Sequence, residues 1–178
     1  MLKSDIQDRL RPLLLVMAGM VALDQLTKYL IVSYLSPFDS IPILGNAVRL
    51  TFVLNQNGAF SLAPQRLLPF LTPLQFYGFF NLLAASLVFI LYWKTPLSER
   101  FTRLAFMLIL SGAIGNLIDR FRLGKVVDFI DCDFPNIVME RWPVFNVADS
   151  CVTVGITILI LVTIFSKKNE HPAPPSNG

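Results

Sequence analysis

Charge is what this sequence has least of. Charged residues fill 15% of its 178 positions, where a soluble domain carries about 25%. Histidine occurs once, as His171, among prolines near the C-terminus, which argues against a His-based zinc site or a Ser–His–Asp triad. Cysteine occurs twice, as Cys132 and Cys151. Their spacing matches no zinc or redox motif, and two cysteines specify no disulfide framework, so their pairing is left open. The net charge is only +3, and no basic run is long enough for a nucleic-acid footprint. No segment repeats another.

What is present is apolar. Hydrophobic residues make up 54% of the chain and the mean hydropathy is +0.60, so lipid is the expected solvent. A bilayer span needs about 20 mostly apolar residues, and segments 12–34, 73–93, 101–118 and 145–165 meet that requirement. The first is too long, and too polar at its end, for a cleaved signal peptide. Tyr92–Trp93 closes the second as an interfacial aromatic pair, and Ser166–Lys167–Lys168 stops the fourth. Residues 1–168 thus read as one multi-pass membrane domain, with outer segments 35–72 and 119–144 and a disordered, proline-rich tail at 169–178.

Basic residues tend to remain on the cytoplasmic side. With both termini cytoplasmic, the inner ends hold Lys3, Arg9, Arg11, Lys94, Arg100, Arg103, Lys167 and Lys168 against Asp5, Asp8, Glu99 and Glu170. In the outer segments, 47–54 and 126–130 carry the β-branched and aromatic residues of strands. Asn55–Gly58 is a turn signal. Residues 59–62 read as a returning strand and 65–71 as a short helix lying on the membrane surface.

Ionisable side chains inside a span are expensive, so each needs a reason. Asp24 and Lys28 are four apart and share a helix face. The pairing makes both charges cheaper to embed and ties the helix to its neighbours, while Asp24 is also a candidate for part of a site. Helical spacing puts Gly112, Asn116, Asp119 and Arg120 on one side of the third span. Gly112 and Gly115 read as a packing seam. Arg120 suits snorkelling to the interface, and Asp119 suits a clamp on Arg120 or on a neighbouring helix. In the fourth span, Asn146, Asp149, Thr153 and Thr157 form one polar stripe. Asn146 also fits an N-cap and Asp149 the favourable first turn of a helix. Asp128 lies inside Val126-Val-Asp-Phe-Ile130, an apolar stretch where a solvated loop charge has little reason to be. Asp131 and Asp133 read as ordinary loop acids, with a weak cation site as the alternative.

Two carboxylates held close share one proton, because repulsion raises one pKa and leaves the other low. One member then acts on water while the other protonates or polarises a carbonyl. Asp128 and Asp149 suit that task, provided the fold brings them together. A small transporter or proton-coupled carrier would also embed acids, but it commonly shows more spans and an inverted repeat.

Five segments extend the reading: Asp24-Gln-Leu-Thr-Lys28, Asn55-Gln-Asn-Gly-Ala-Phe-Ser61, Gly115-Asn-Leu-Ile-Asp-Arg120, Val127-Asp-Phe129 and Phe145-Asn-Val-Ala-Asp149. In order and content they resemble the signatures of the bacterial lipoprotein signal peptidases, signal peptidase II. The second departs slightly from the family pattern at Asn57–Gly58–Ala59, while Asn55 and Phe60 keep their places. The resemblance implies a four-helix aspartyl protease of the bacterial inner membrane, with a small extracytoplasmic β-cradle and a short interfacial helix. It implies a monomer that needs no metal or cofactor and binds no nucleic acid. Its substrate would be a prolipoprotein, cut N-terminal to a diacylglyceryl-modified cysteine near the outer membrane face, and globomycin would inhibit it. Carried over by motif, Asp128 and Asp149 match the catalytic pair. Asn55, Asn116, Arg120 and Asn146 match substrate-positioning residues, and Asp24 and Asp119 match supports of the site.

Overall fold

The structure is a computed structural model and describes residues 3–56, 70–133 and 141–168. Four helices and three strands follow one another as α1 (Lys3–Tyr34), β1 (Ser40–Leu44), β2 (Val48–Asn55), α2 (Pro73–Lys94), α3 (Arg100–Leu123), β3 (Val126–Cys132) and α4 (Val147–Lys168). Each helix has the length and apolar content of a membrane span. The expected surface helix at 65–71, the returning strand at 59–62 and the tail lie wholly or mostly outside the described residues.

The helix ends show where hydropathy misleads. The first helix begins well before residue 12, because its first turns are polar but still helical. Pro12 sits inside it and has no N–H to offer the carbonyl of Asp8. Arg103 Nη2 occupies that carbonyl instead, at 3.3 Å. Arg9 reaches the end of α2, where its Nη1 donates to the carbonyls of Trp93 and Thr95, both at 2.8 Å. The phenol of Tyr92 donates to the Arg9 carbonyl and accepts from Arg103 Nη2 at 2.8 Å. The start of α2 carries a capping box, with Gln75 N donating to Thr72 Oγ1 at 3.2 Å and Thr72 N donating to Gln75 Oε1 at 3.0 Å.

The third helix runs past its expected end at 118, to Leu123. Asp119 and Arg120 look interfacial by sequence, yet Asp119 is buried and paired, so the charges do not end the helix. Gly124 ends it, in the left-handed region at φ 70° with its N–H on the Arg120 carbonyl. The fourth helix starts two residues later than expected, because Phe145 bridges Ile130 of β3.

The sheet is antiparallel, in the order β1-β2-β3. It is inserted between the end of α1 and the start of α2, and again between α3 and α4, so it caps one end of the bundle. Ile31, Phe52, Val127 and Phe129 pack it onto α1. A second core joins α1, α2 and α3 through Leu13, Ala85, Tyr92, Phe106, Met107 and Leu110. Leu14, Leu15, Leu82, Leu83, Ile160 and Phe165 point outward, as lipid contact requires. Both cysteines are free thiols.

Helices α3 and α4 share the most extensive contact, and a glycine makes it possible. A Cβ on Gly112 would lie 2.2 Å from the Ala148 carbonyl oxygen, which bears out the packing-seam reading. Gly112→Ala should therefore lower the thermal midpoint, since overpacking costs about 1–3 kcal/mol or more. Gly19 has open space around its Cβ position, and Gly19→Ala should be neutral or stabilising by about 0.5–1 kcal/mol. Thermal unfolding of the two variants in detergent checks the contrast; equal midpoints would contradict the close approach.

Candidate active site

The end of the bundle beneath the sheet collects the embedded polar groups. Asp128 sits on β3 opposite Val53 of β2 and is only 2% exposed. Its Oδ2 accepts from Asn55 Nδ2 at 3.0 Å and its Oδ1 from Asn146 Nδ2 at 2.7 Å. Asp149 lies in the first turn of α4. Its Oδ1 accepts from Asn116 Nδ2 at 2.8 Å and its Oδ2 from the backbone N–H of Asn146 at 3.2 Å.

Asn146 joins the two carboxylates. Its Oδ1 accepts from Asp149 N at 2.9 Å, so Asn146 and Asp149 cap each other reciprocally, as in a capping box. The same side chain's amide nitrogen meets Asp128. Both sequence readings of Asn146, N-cap and site residue, describe one fully buried side chain.

Behind this pair lies a buried ion cluster. Lys28 Nζ is 2.9 Å from Asp24 Oδ2, 2.9 Å from Asp119 Oδ2 and 3.1 Å from Asn116 Oδ1. Asp24 Oδ1 accepts the backbone N–H of Ala148 at 2.9 Å, and Asp119 Oδ2 accepts that of Val127 at 3.0 Å. Gln25 Nε2 adds bonds to Asp24, to Asp119 and to the Gly115 carbonyl. One cluster on α1 thus fixes α3, the start of α4 and the strand that carries Asp128. Gly115 makes room for it, since a Cβ there would lie 2.6 Å from Asp24 Oδ2.

Arg120 is half-buried at the rim. Its guanidinium stacks over Tyr77 at 5.5 Å and its Nη1 reaches the Asn116 carbonyl at 3.4 Å. Asp119 takes Lys28 and not Arg120 as its ion partner, so of the two clamps the sequence allows, the one to a neighbouring helix is realised. Burial, and then the negative charge of Asp149, push the Asp128 carboxyl up to about 7, against the opposing pull of Asn55, Asn146 and Lys28.

All eight sequence candidates are therefore close together: Asp128, Asp149, Asn55, Asn116 and Asn146 in one hydrogen-bonded set, Asp24 and Asp119 behind it, and Arg120 beside it. Sequence reasoning missed the reach of Lys28 to Asn116, and it missed Gln25 and Tyr77. Only Gln25 carried a signal, as an amide beside Asp24 within a span. The stripe on α4 breaks after Asp149, because Thr153 and Thr157 are exposed and Thr157 Oγ1 donates to the Thr153 carbonyl.

Asp131 is not a loop acid. It lies on β3, largely buried, and accepts from Arg141 Nε and Thr51 Oγ1, both at 2.7 Å. Burial pushes its carboxyl up, but these bonds outweigh that and hold it below the usual range. Asp133 pairs with Arg141 at 3.3 Å. Among the described residues no three His, Cys, Asp or Glu side chains are grouped to hold a metal ion.

Four candidate spans, a small sheet at one end and two carboxylates joined through Asn146, Asp128 buried and Asp149 half-buried, are the frame of a membrane-embedded aspartic peptidase. The signal peptidase (SPase) II family matches residues 16–165. The lipoprotein signal peptidase of Desulforapulum autotrophicum is 39% identical over 159 residues, covering 87% of this chain and 93% of that protein. That of Moorella thermoacetica is 37% identical over 148 residues, covering 83% and 89%. A solved bacterial membrane enzyme, determined by the in meso method at 2.3 Å resolution, superposes with a TM-score of 0.77 at 28% identity, covering 91% of this chain and 93% of that one. The chain belongs to the signal peptidase II family.

The raised Asp128 has a consequence for stability. Its folded pKa of about 7 lies above the ordinary value of 3.8, so the folded state holds the proton more tightly than the unfolded state. The stabilisation is complete below the ordinary value and is lost as pH rises through about 7. Asp128→Asn, which cannot ionise, should unfold at a higher temperature than the parent above pH 7, with the gap closing toward acid. The ceiling is about 4 kcal/mol, at 1.36 kcal/mol per pKa unit. Melting curves across pH test this; a gap independent of pH would contradict it.

Proposed function

We propose that Asp128 and Asp149 are the catalytic pair with which this peptidase removes the signal peptide from prolipoproteins, by cutting N-terminal to a diacylglyceryl-modified cysteine. The observation that carries the reading is buried Asn146, whose side-chain amide donates to the Asp128 carboxylate and whose backbone N–H donates to the Asp149 carboxylate. The ionised member of the pair takes a proton from a water, whose oxygen attacks the scissile carbonyl. The protonated member gives its proton to the carbonyl oxygen, forming a tetrahedral diol. The first member then protonates the cysteine nitrogen, the C–N bond breaks, and the second recovers its proton as the new carboxyl forms. The pair ends as it began, and no cofactor enters.

The remaining residues have matching tasks. Asn55, Asn116 and Asn146 fix the carboxylates and offer polar groups to an extended substrate backbone. Arg120, at the rim on Tyr77, supplies positive charge beside the two carboxylates. Asp24 and Asp119 support the site from behind through Lys28. The outward apolar faces of the helices suit a substrate whose signal helix and acyl chains approach through lipid. The excess of basic residues at the other end of the bundle supports cytoplasmic termini and a site near the outer face of the inner membrane.

Asp128→Asn and Asp149→Asn should each lower cleavage of a diacylated prolipoprotein by at least about 10²–10⁴-fold, with normal membrane insertion. Near-parental turnover by either variant would sink the assignment. Parental activity should be unchanged by EDTA and blocked by globomycin; loss with EDTA would instead revive Asp131 and Asp133 as metal ligands.

A further inference from the structure

We propose that Tyr77 of α2 is a positioning residue for the reaction: its ring holds the Arg120 guanidinium by the face and leaves the guanidinium's edge free for the substrate backbone. The proposal rests on the reading of Arg120 as a substrate-positioning residue and adds the residue that prepares it for that task.

Arg120 is half-buried, and the charges of Asp149, Asp128 and Asp119 all act on it. Yet among the described residues it forms no ion pair. The acids are already served by other donors. Asp119 takes Lys28 on Oδ2 and Gln25 on Oδ1. Asp149 takes Asn116 and the backbone N–H of Asn146, and Asp128 takes Asn55 and Asn146. Arg120 spends one donor on the Asn116 carbonyl, at a long 3.4 Å. A single long bond does not fix a side chain with so much rotamer freedom.

The packing of α2 on α3 brings the ring to the place where it is needed. Asn81 of α2 donates from Nδ2 to the Ala113 carbonyl of α3 at 3.1 Å, which sets the rotation and height of one helix against the other. Tyr77 lies one turn before Asn81 on the same face of α2. Arg120 lies two turns beyond Ala113 on the same side of α3. The helices run in opposite directions, so both residues lie toward the site from that bond. At about 1.5 Å of rise per residue, Tyr77 stands about 6 Å and Arg120 about 10 Å along from it. Helical side chains lean toward the N-terminus of their own helix, so Tyr77 leans outward and Arg120 leans back, which closes the difference. The guanidinium carbon rests 5.5 Å from the ring centroid, within cation–π reach. Phe76 meets the Tyr77 ring edge-to-face, with 5.4 Å between centroids.

A ring suits this task better than an acid. A carboxylate would take two guanidinium donors in a bidentate pair and cancel the charge. An aromatic face attracts the cation while the in-plane N–H donors stay available. Those donors then meet the carbonyl oxygens of a backbone drawn across the carboxylate pair. Without the ring the guanidinium is loose, and the substrate has to order it on binding.

The test replaces Tyr77 by phenylalanine and by phenylalanines with increasing ring fluorination, which keep the ring's shape and drain its face of negative potential. Cleavage of a diacylated prolipoprotein by each purified variant in detergent gives kcat/KM. Tyr77→Phe, the conservative variant, keeps the contact and should fall less than about threefold. Along the fluorine series kcat/KM should then fall stepwise, by about 3–30-fold in total, the span of a cation–π contact. A flat series overturns the proposal, because a ring that only packs is indifferent to the charge on its face. A larger loss in Tyr77→Phe would assign the task to the hydroxyl and overturns it too. Tyr77→Leu should lose at least as much as the full series, and the loss should shrink below about twofold in an Arg120→Gln background. An equal loss in both backgrounds contradicts the coupling. Parental kcat/KM in Arg120→Gln alone would fail the underlying reading of Arg120, whereas an impaired Arg120→Gln with a flat fluorine series fails only the role of Tyr77.

Discussion

The ammonium of Lys28, shared by Asp24, Asp119 and Asn116, is the interaction on which the rest of the site depends. A lone charge so deep in a membrane helix is costly, and buried ion pairs do not reliably add stability. Their use here is positional. Asp24 holds the backbone N–H of Ala148 at the start of α4, and Asp119 holds that of Val127, next to Asp128. The two elements that carry the carboxylates are thereby referred to one point on α1. Removing one partner from such a cluster strands the other charges, at a cost of about 3–5 kcal/mol.

The site is also rigid in its connections but unequal in its two acids. Asp149 stands in the first turn of a helix, capped reciprocally by Asn146. Asp128 stands on a strand with apolar neighbours, Val127 and Phe129, both buried. Burial on that strand, together with the charge of Asp149, raises the Asp128 carboxyl to about 7. The capping sheet contributes through its register, because Val53 opposite Asp128 places Asn55, two residues on, within reach of its carboxylate.

Much of this was legible in the sequence, for physical reasons. Spans announce themselves because lipid demands long apolar runs, and the embedded acids stood out because such positions are expensive. The family motifs carried the grouping of Asp128 with Asp149, which no spacing rule supplies. The ends of elements were less legible. Hydropathy ended the third span at 118, because it cannot see that Lys28 neutralises Asp119 from another helix. The strand β1, Ser40-Ile-Pro-Ile-Leu44, has neither clean alternation nor a full set of donors, since Pro42 lacks an N–H. Asp131 was misread as a loop acid because its partners, Thr51 and Arg141, come from other parts of the chain. Local patterns give periodicity and cost, whereas partners across the bundle are set by packing.

The central claim is that Asp128 and Asp149 act together on one water. The most direct test is a high-resolution structure of the enzyme with a substrate-like inhibitor whose hydroxyl replaces that water. The hydroxyl should lie within hydrogen-bond distance, about 2.5–3.0 Å, of both carboxylates, with Asn146 still bonded to each residue. A hydroxyl held by only one of them, with the other too far for a single bridging atom, would contradict it.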